Sequence, residues 1–163
     1  MAGAGGAHPG GYRGAAAQPR QRLFQSRRGV SAEDPRTVPA GRQSLDICVF
    51  TISDDQLSAE ILACHRRGVP VRIISDDDKQ FDEGSDIHAL REAGVPLRID
   101  DSPFHMHHKF ALVDGAWLLN GSFNWTRSAS VNNEENLLVT DDAVLIGAYR
   151  REFEELWGRY APR

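Results

Sequence analysis

The densest run of reactive side chains in the 163-residue chain is His105-Met106-His107-His108-Lys109. In an extended segment, alternation sets His105, His107 and Lys109 on one face and His108 on the other. Asp114 follows five residues after the lysine, then Gly121-Ser122-Phe123-Asn124, then Asn132-Asn133-Glu134-Glu135-Asn136. An imidazole one pleat from an ammonium, with a hydroxyl, a carboxamide and carboxylates to follow, is a nucleophilic and charge-neutralising set. It suits an anionic centre, phosphate above all. Three histidines within four residues also invite a transition metal, but His108 points away from the other two in a strand, and a lysine in their row repels a cation. Taken singly, His107 is a packed or solvated histidine, Lys109 a surface cation and Asp114-Gly115 a turn. Their joint spacing carries the chemical reading.

The elements that must hold these residues alternate from Ser44 onward. Leu45 to Ile52 is a short β-branched, apolar run of the kind buried on both faces of a sheet. A helix follows, capped by Asp54 or Asp55, with Leu57, Ile61, Leu62 and Cys64 as its apolar stripe and Gly68 as its stop. Val69 to Ser75 reads as a strand with Pro70 at its start, Asp86 to Ala93 as a helix ended by Gly94, and Pro96 to Ile99 as another strand. His107 to Val113 turns at Asp114-Gly115 into Trp117 to Leu119, a hairpin signature. The strand Asn136 to Thr140 leads, with Asp141 as N-cap, into a long helix whose Leu145, Tyr149, Phe153, Leu156 and Tyr160 recur at three- and four-residue steps. The order predicts an α/β sandwich with a mixed sheet, the late hairpin adding the antiparallel part.

The formal charge of −4 hides a split. Residues 1–43 carry seven arginines against Glu33 and Asp34, a net +5, and the remainder carries 12 basic and 21 acidic groups, a net −9. Fourteen of the first twenty residues are Gly, Ala or Pro, so residues 1–43 are expected to be a disordered tail, unable to bury enough surface to offset its ordering entropy. Residues 44–163 are expected to form one domain. The tail faintly resembles an organelle transit peptide in its arginines, but serine is scarce and no amphipathic helix is visible. No stretch reaches the roughly 18 to 20 apolar residues of a membrane span, and Cys48 and Cys64 are too few for a disulfide scaffold. A soluble, cytoplasmic protein in a reducing compartment is the expectation.

The pattern His107-x-Lys109-x4-Asp114-x6-Gly121-Ser122-x-Asn124 resembles the HKD signature of the phospholipase D superfamily, with every position filled. Ser44 to about Tyr160 is similar to its single-HKD branch, which includes bacterial HKD nucleases and mitochondrial cardiolipin hydrolases. The resemblance implies an α/β/α sandwich and a phosphodiesterase working without metal or cofactor through a phosphohistidine. It makes His107 the nucleophile, Lys109 and Asn124 the grip on the non-bridging oxygens with Ser122 assisting, and Glu135, in an Asn-x-Glu-Asn context, the carboxylate orienting the imidazole. Asp114 has two readings, ordering the site or closing the hairpin turn. The family needs two HKD histidines, so one motif per chain implies a homodimer sharing one active site. The family's opening strand and helix are missing or diverged here, since Leu23 to Gln43 has no apolar stripe.

Two substrates share this chemistry, phospholipid head groups and single-stranded nucleic acid. A nuclease is expected to run a basic groove along its substrate, and a domain of −9 with acidic runs at Asp76-Asp77-Asp78 and Asp100-Asp101 favours lipid. Only Lys109, Arg127 and Lys79 are expected as cations near the site. Phe104, Phe123 and Trp125 flank the motif as core, acyl-chain or base contacts. A non-catalytic phosphate- or lipid-binding module is the different-class alternative.

Overall fold

Strand alternation along β2 (Leu45–Val49) sends Ile47 and Val49 to one face and Cys48 to the other, all fully buried. In the computed structural model, which describes the backbone of residues 21–26 and residues 43–160, both faces of the sheet are covered, as such a run requires. The parallel part is β2, β4 (Val71–Ser75) and β5 (Leu97–Ile99), joined by α1 (Asp55–Arg66) and α2 (Ile87–Glu92). The antiparallel part is β6 (Lys109–Val113), β7 (Trp117–Gly121) and β9 (Glu135–Thr140). The sheet runs β1-β9-β7-β6-β2-β4-β5, where β1 is Gln21–Ser26. β3 (Ile52–Ser53) and β8 (Trp125–Thr126) form a separate parallel pair beside α3 (Arg127–Asn132). The long α4 (Ala143–Arg159) closes the chain.

Two apolar clusters sit on opposite faces of this mixed sheet. Ile47, Ile73, Ala111 and Val139 meet Ile61 and Cys64 of α1 and Ile87 and Leu90 of α2. Cys48, Ile74, Phe110 and Leu118 meet Ile146, Phe153 and Leu156 of α4. This is the α/β sandwich with a mixed sheet expected from the alternating order, with helices on both faces as the resemblance implied. Arg72 fixes α4 to the sheet: its guanidinium is bidentate to Asp46 at 2.7 and 2.9 Å, reaches Glu154 at 2.7 Å and lies over the Phe153 ring. The two cysteines are buried, one in each cluster.

Local signals account for most boundaries. Asp54 caps α1, accepting from the amides of Gln56 and Leu57, and Gly68 at φ +80° ends it. Four expectations are corrected. Gln21–Ser26, expected within a disordered tail, is a strand paired antiparallel with β9. Apart from Gln43, the rest of the expected tail lies outside the described residues. The run Leu45 to Ile52 breaks after Val49, and Ile52 joins the small β3–β8 pair instead. The last helix is capped by Asp142, whose Oδ1 accepts from Val144 and Leu145, and not by Asp141. Finally, β6 begins at Lys109 and not at His107. The Met106 amide donates at 2.8 Å to the buried Asp76 carboxylate, drawing residues 105–108 out of the ladder.

Candidate active site

The register brings the motif together at one end of the sheet. β6 runs antiparallel to β2 with Lys109 opposite Val49, and Gly121 at the end of β7 lies opposite Leu137 near the start of β9. The C-terminal ends of the parallel strands share this edge with Lys109, Gly121 and Glu135, the usual position for a site on an open α/β sheet. Gly121 is required by close approach: a Cβ there would stand 2.0 Å from the Asn136 carbonyl oxygen. That contact lets β7 and β9 converge and sets Ser122 beside Glu135.

Ser122 Oγ donates to Glu135 Oε2 in a short hydrogen bond and accepts from the Asn136 amide at 3.1 Å. The other Glu135 oxygen accepts from Asn133 Nδ2 at 2.9 Å. Lys109 Nζ donates to the carbonyl of His107 at 2.9 Å, which keeps the ammonium beside the imidazole. Burial pushes the lysine below its ordinary range, and the Glu135 carboxylate opposes that shift. Desolvation likewise lowers His107, with Lys109 and His105 adding in the same direction and Asp76 opposing. A neutral imidazole beside an ammonium can attack phosphorus while the charge next to it meets the phosphate oxygens. Asn124 Oδ1 is buried with no hydrogen-bond partner among the described residues, an unmet acceptor in the middle of the motif. Leaving such an atom unpaired costs about 1–3 kcal/mol.

One expected residue stands away from this edge. Asp114 lies at the far end of β6, in the hairpin turn, at φ +55° with Gly115 at +61° and the Ala116 amide donating back to Val113 at 3.0 Å. Its Oδ1 accepts the amides of Gln43 and Ser44, at 2.7 and 3.1 Å. The structure thus places Asp114 in the turn, at the opposite end of β6 from Lys109. Glu135 reaches Ser122 and Asn133 within its own chain, and His107 is not among its partners.

The rows expected from alternation persist outside the ladder. His105 and His107 both meet the ring of Phe50, with centroids 5.3 and 4.6 Å away. His108 faces α4, with Nε2 3.3 Å from Glu152. The three imidazoles do not converge on one centre. Among the described residues, Asp76, Asp78 and His105 do bring ligand atoms within 4.8 Å of one another, but the Asp76 oxygens already accept the amides of Met106 and Asp78. Asp76 acts as the anchor of the His105–His108 segment. Of the three flanking aromatics, Phe123 is buried, Trp125 packs against the core and Phe104 is 79% exposed. Sequence reasoning missed Phe50 and Asp76 as site-shaping residues. Asp76 follows directly on the strand expected at Val69 to Ser75, which was the available signal for it, whereas Phe50 lay inside the run Leu45 to Ile52 and carried none.

Comparison with known proteins agrees with this architecture. The family model described as "Cardiolipin synthase, PLD-like domain" matches residues 38–157. A mitochondrial cardiolipin hydrolase of Chlamydomonas reinhardtii is 51% identical over 118 residues, covering 72% of this chain and 53% of that relative. The protein of the same name from Homo sapiens is 44% identical over 127 residues, 78% of this chain and 50% of the other. The chain thus spans about half the length of these relatives. Among solved structures, Nuc of Salmonella typhimurium, titled a phospholipase D family member, superimposes with a TM-score of 0.78 at 23% identity, covering 90% of this chain and 99% of its own. NucT from Helicobacter pylori gives 0.73 at 20% identity, covering 90% and 100%. Both show the same fold.

Proposed function

The chain belongs to the phospholipase D superfamily, in its PLD-like domain family with a single HKD motif, and from that premise we propose that it is a phosphodiesterase in which His107 attacks phosphorus. The observation that carries the reading is the pairing of a depressed imidazole with an adjacent ammonium at the sheet edge where Ser122, Asn124 and Glu135 also lie. His107 forms a covalent phosphohistidine as the alcohol leaves with a proton from a second imidazole. That imidazole then takes a proton from water as the water displaces His107, giving the phosphomonoester and free enzyme. Lys109 and Asn124 grip the non-bridging oxygens, where negative charge grows in the transition state. Ser122, held between Glu135 and the Asn136 amide, fixes the floor of the pocket.

The second imidazole comes from a second copy of the chain across a two-fold axis. The unmet acceptor on Asn124 and the Glu135 carboxylate hydrogen-bonded to Ser122 and Asn133, with none to its own His107, both support a site left incomplete by one chain.

The substrate is a phospholipid phosphodiester of the phosphatidyl-alcohol or cardiolipin type. The names of the relatives and the −9 balance outside the basic N-terminal stretch support lipid. Local charge points the same way: the Lys79 ammonium near the site is already paired with Asp82 at 3.0 Å. No helix among the described residues is long and apolar enough to cross a membrane. The relatives' names favour a mitochondrial location over the cytoplasmic one expected from composition. Turnover of cardiolipin, phosphatidylcholine and single-stranded DNA by one preparation of the full chain tests the assignment. Hydrolysis of a lipid is expected, and DNA cleavage with both lipids inert would reverse it.

A further inference from the structure

Phe50 follows the last residue of β2, where the strand ends at the catalytic edge. Its backbone is fixed from both sides, by the Phe50 amide donating to the His108 carbonyl at 2.9 Å and the Ser75 hydroxyl donating to the Phe50 carbonyl at 3.2 Å. Its half-buried ring meets four groups from two other segments. The imidazoles of His105 and His107 stand against it edge-on, at interplanar angles of 76° and 64°. The ammoniums of Lys109 and Lys79 each lie 5.3 Å from its centroid. Aromatic pairs of this geometry and cations over a ring are both attractive, and more so where water is excluded.

We propose that Phe50 is the positioning residue of the site, the wall that sets the rotamer of His107 and the direction of the Lys109 ammonium so that both address one phosphate. The inference rests on the reading of His107 as nucleophile. Residues 105–108 lie outside the strand ladder, so regular secondary structure does not orient the imidazole. The segment is held instead by the Met106 amide and His105 ring on Asp76, the Phe50 amide on the His108 carbonyl, the Lys109 ammonium on the His107 carbonyl and the His108 ring near Glu152. None of these touches the His107 side chain, which meets the Phe50 ring with centroids 4.6 Å apart. The ring also removes water from one side of that imidazole. Desolvation is the largest cause of its depressed proton affinity, with Lys109, His105 and His108 acting in the same direction and Asp76 opposing.

Phe50→Leu keeps an apolar side chain but loses the ring face. The full-length variant is expected to show kcat lowered about tenfold with KM little changed. Its His107 imidazole, followed by NMR, should titrate at higher pH than in the parent, since an exposed ring regains protons more readily. Phe50→Tyr restores an aromatic wall and should return both properties. Phe50→Met takes the place of the leucine variant if that chain fails to fold. Parental kcat and His107 titration in a folded ring-less variant would overturn the proposal, as would a tyrosine variant as impaired as the leucine one. If the parent hydrolyses no phosphodiester while the titration still moves with the loss of the ring, the positioning role stands and the catalytic reading falls.

Discussion

Lys109 Nζ donates to the main-chain carbonyl of His107, two residues upstream, at 2.9 Å. The contact folds the lysine back along its own strand end and parks a positive charge beside the imidazole it would serve. Protonating His107 then places two cations side by side, after desolvation has already penalised the charged ring. The nucleophile stays neutral to lower pH than an ordinary histidine. The acid limb of kcat/KM should therefore fall below the usual imidazole value of about 6.5. A pH profile checks this, and Lys109→Met should move the limb upward by removing one of the lowering charges while costing about 10²–10³ in kcat.

Asp114 belongs to the turn and the β2 entry, with its carboxylate accepting two backbone amides. Asp114→Ala loses those bonds and places a Cβ residue with no polar side chain at φ +55°. It is expected to lose about 2–4 kcal/mol of stability. Thermal unfolding would show a lowered Tm, while kcat of the folded fraction stays near the parent value. A large loss of kcat at unchanged Tm would return Asp114 to the site.

The approach of β7 to β9 leaves no room at Gly121, because an added methyl would overlap the Asn136 carbonyl. Gly121→Ala should separate the strands, move Ser122 away from Glu135 and destabilise the domain by about 1–3 kcal/mol or more. Circular dichroism on heating reads the stability. Activity at a temperature where the variant is folded reads the displaced hydroxyl.

Sequence showed the linear part of this design and hid the convergent part. The spacing from Lys109 to Gly121 is legible because it is one strand, one tight turn and the next strand, with Asp114-Gly115 supplying the positive φ values that the turn needs. The long helix declared itself by its stripe, since Phe153 and Leu156 face the core one turn apart. β1 was not legible: Gln21–Ser26 has only Leu23 and Phe24 as apolar residues, and its place comes from backbone pairing to β9. Nor was the shortened start of β6, which depends on Asp76 thirty residues earlier capturing the Met106 amide. Phe50 read as one more apolar residue in a buried run, and only the folded chain places it under His107.

A site completed by two chains has a stoichiometric signature. When parent protein is mixed with excess His107→Ala chains under conditions of subunit exchange, residual activity should fall as the square of the parent fraction. A linear fall would mean that each chain works alone.

The central claim is that His107 carries the phosphoryl group during turnover. Rapid acid-free quenching of the full chain with phosphorus-labelled substrate, followed by peptide mapping, tests it most directly. Acid-labile, base-stable label is expected on the peptide containing His107 and none in His107→Ala. No label in the parent protein, together with parental turnover in His107→Ala, would contradict it.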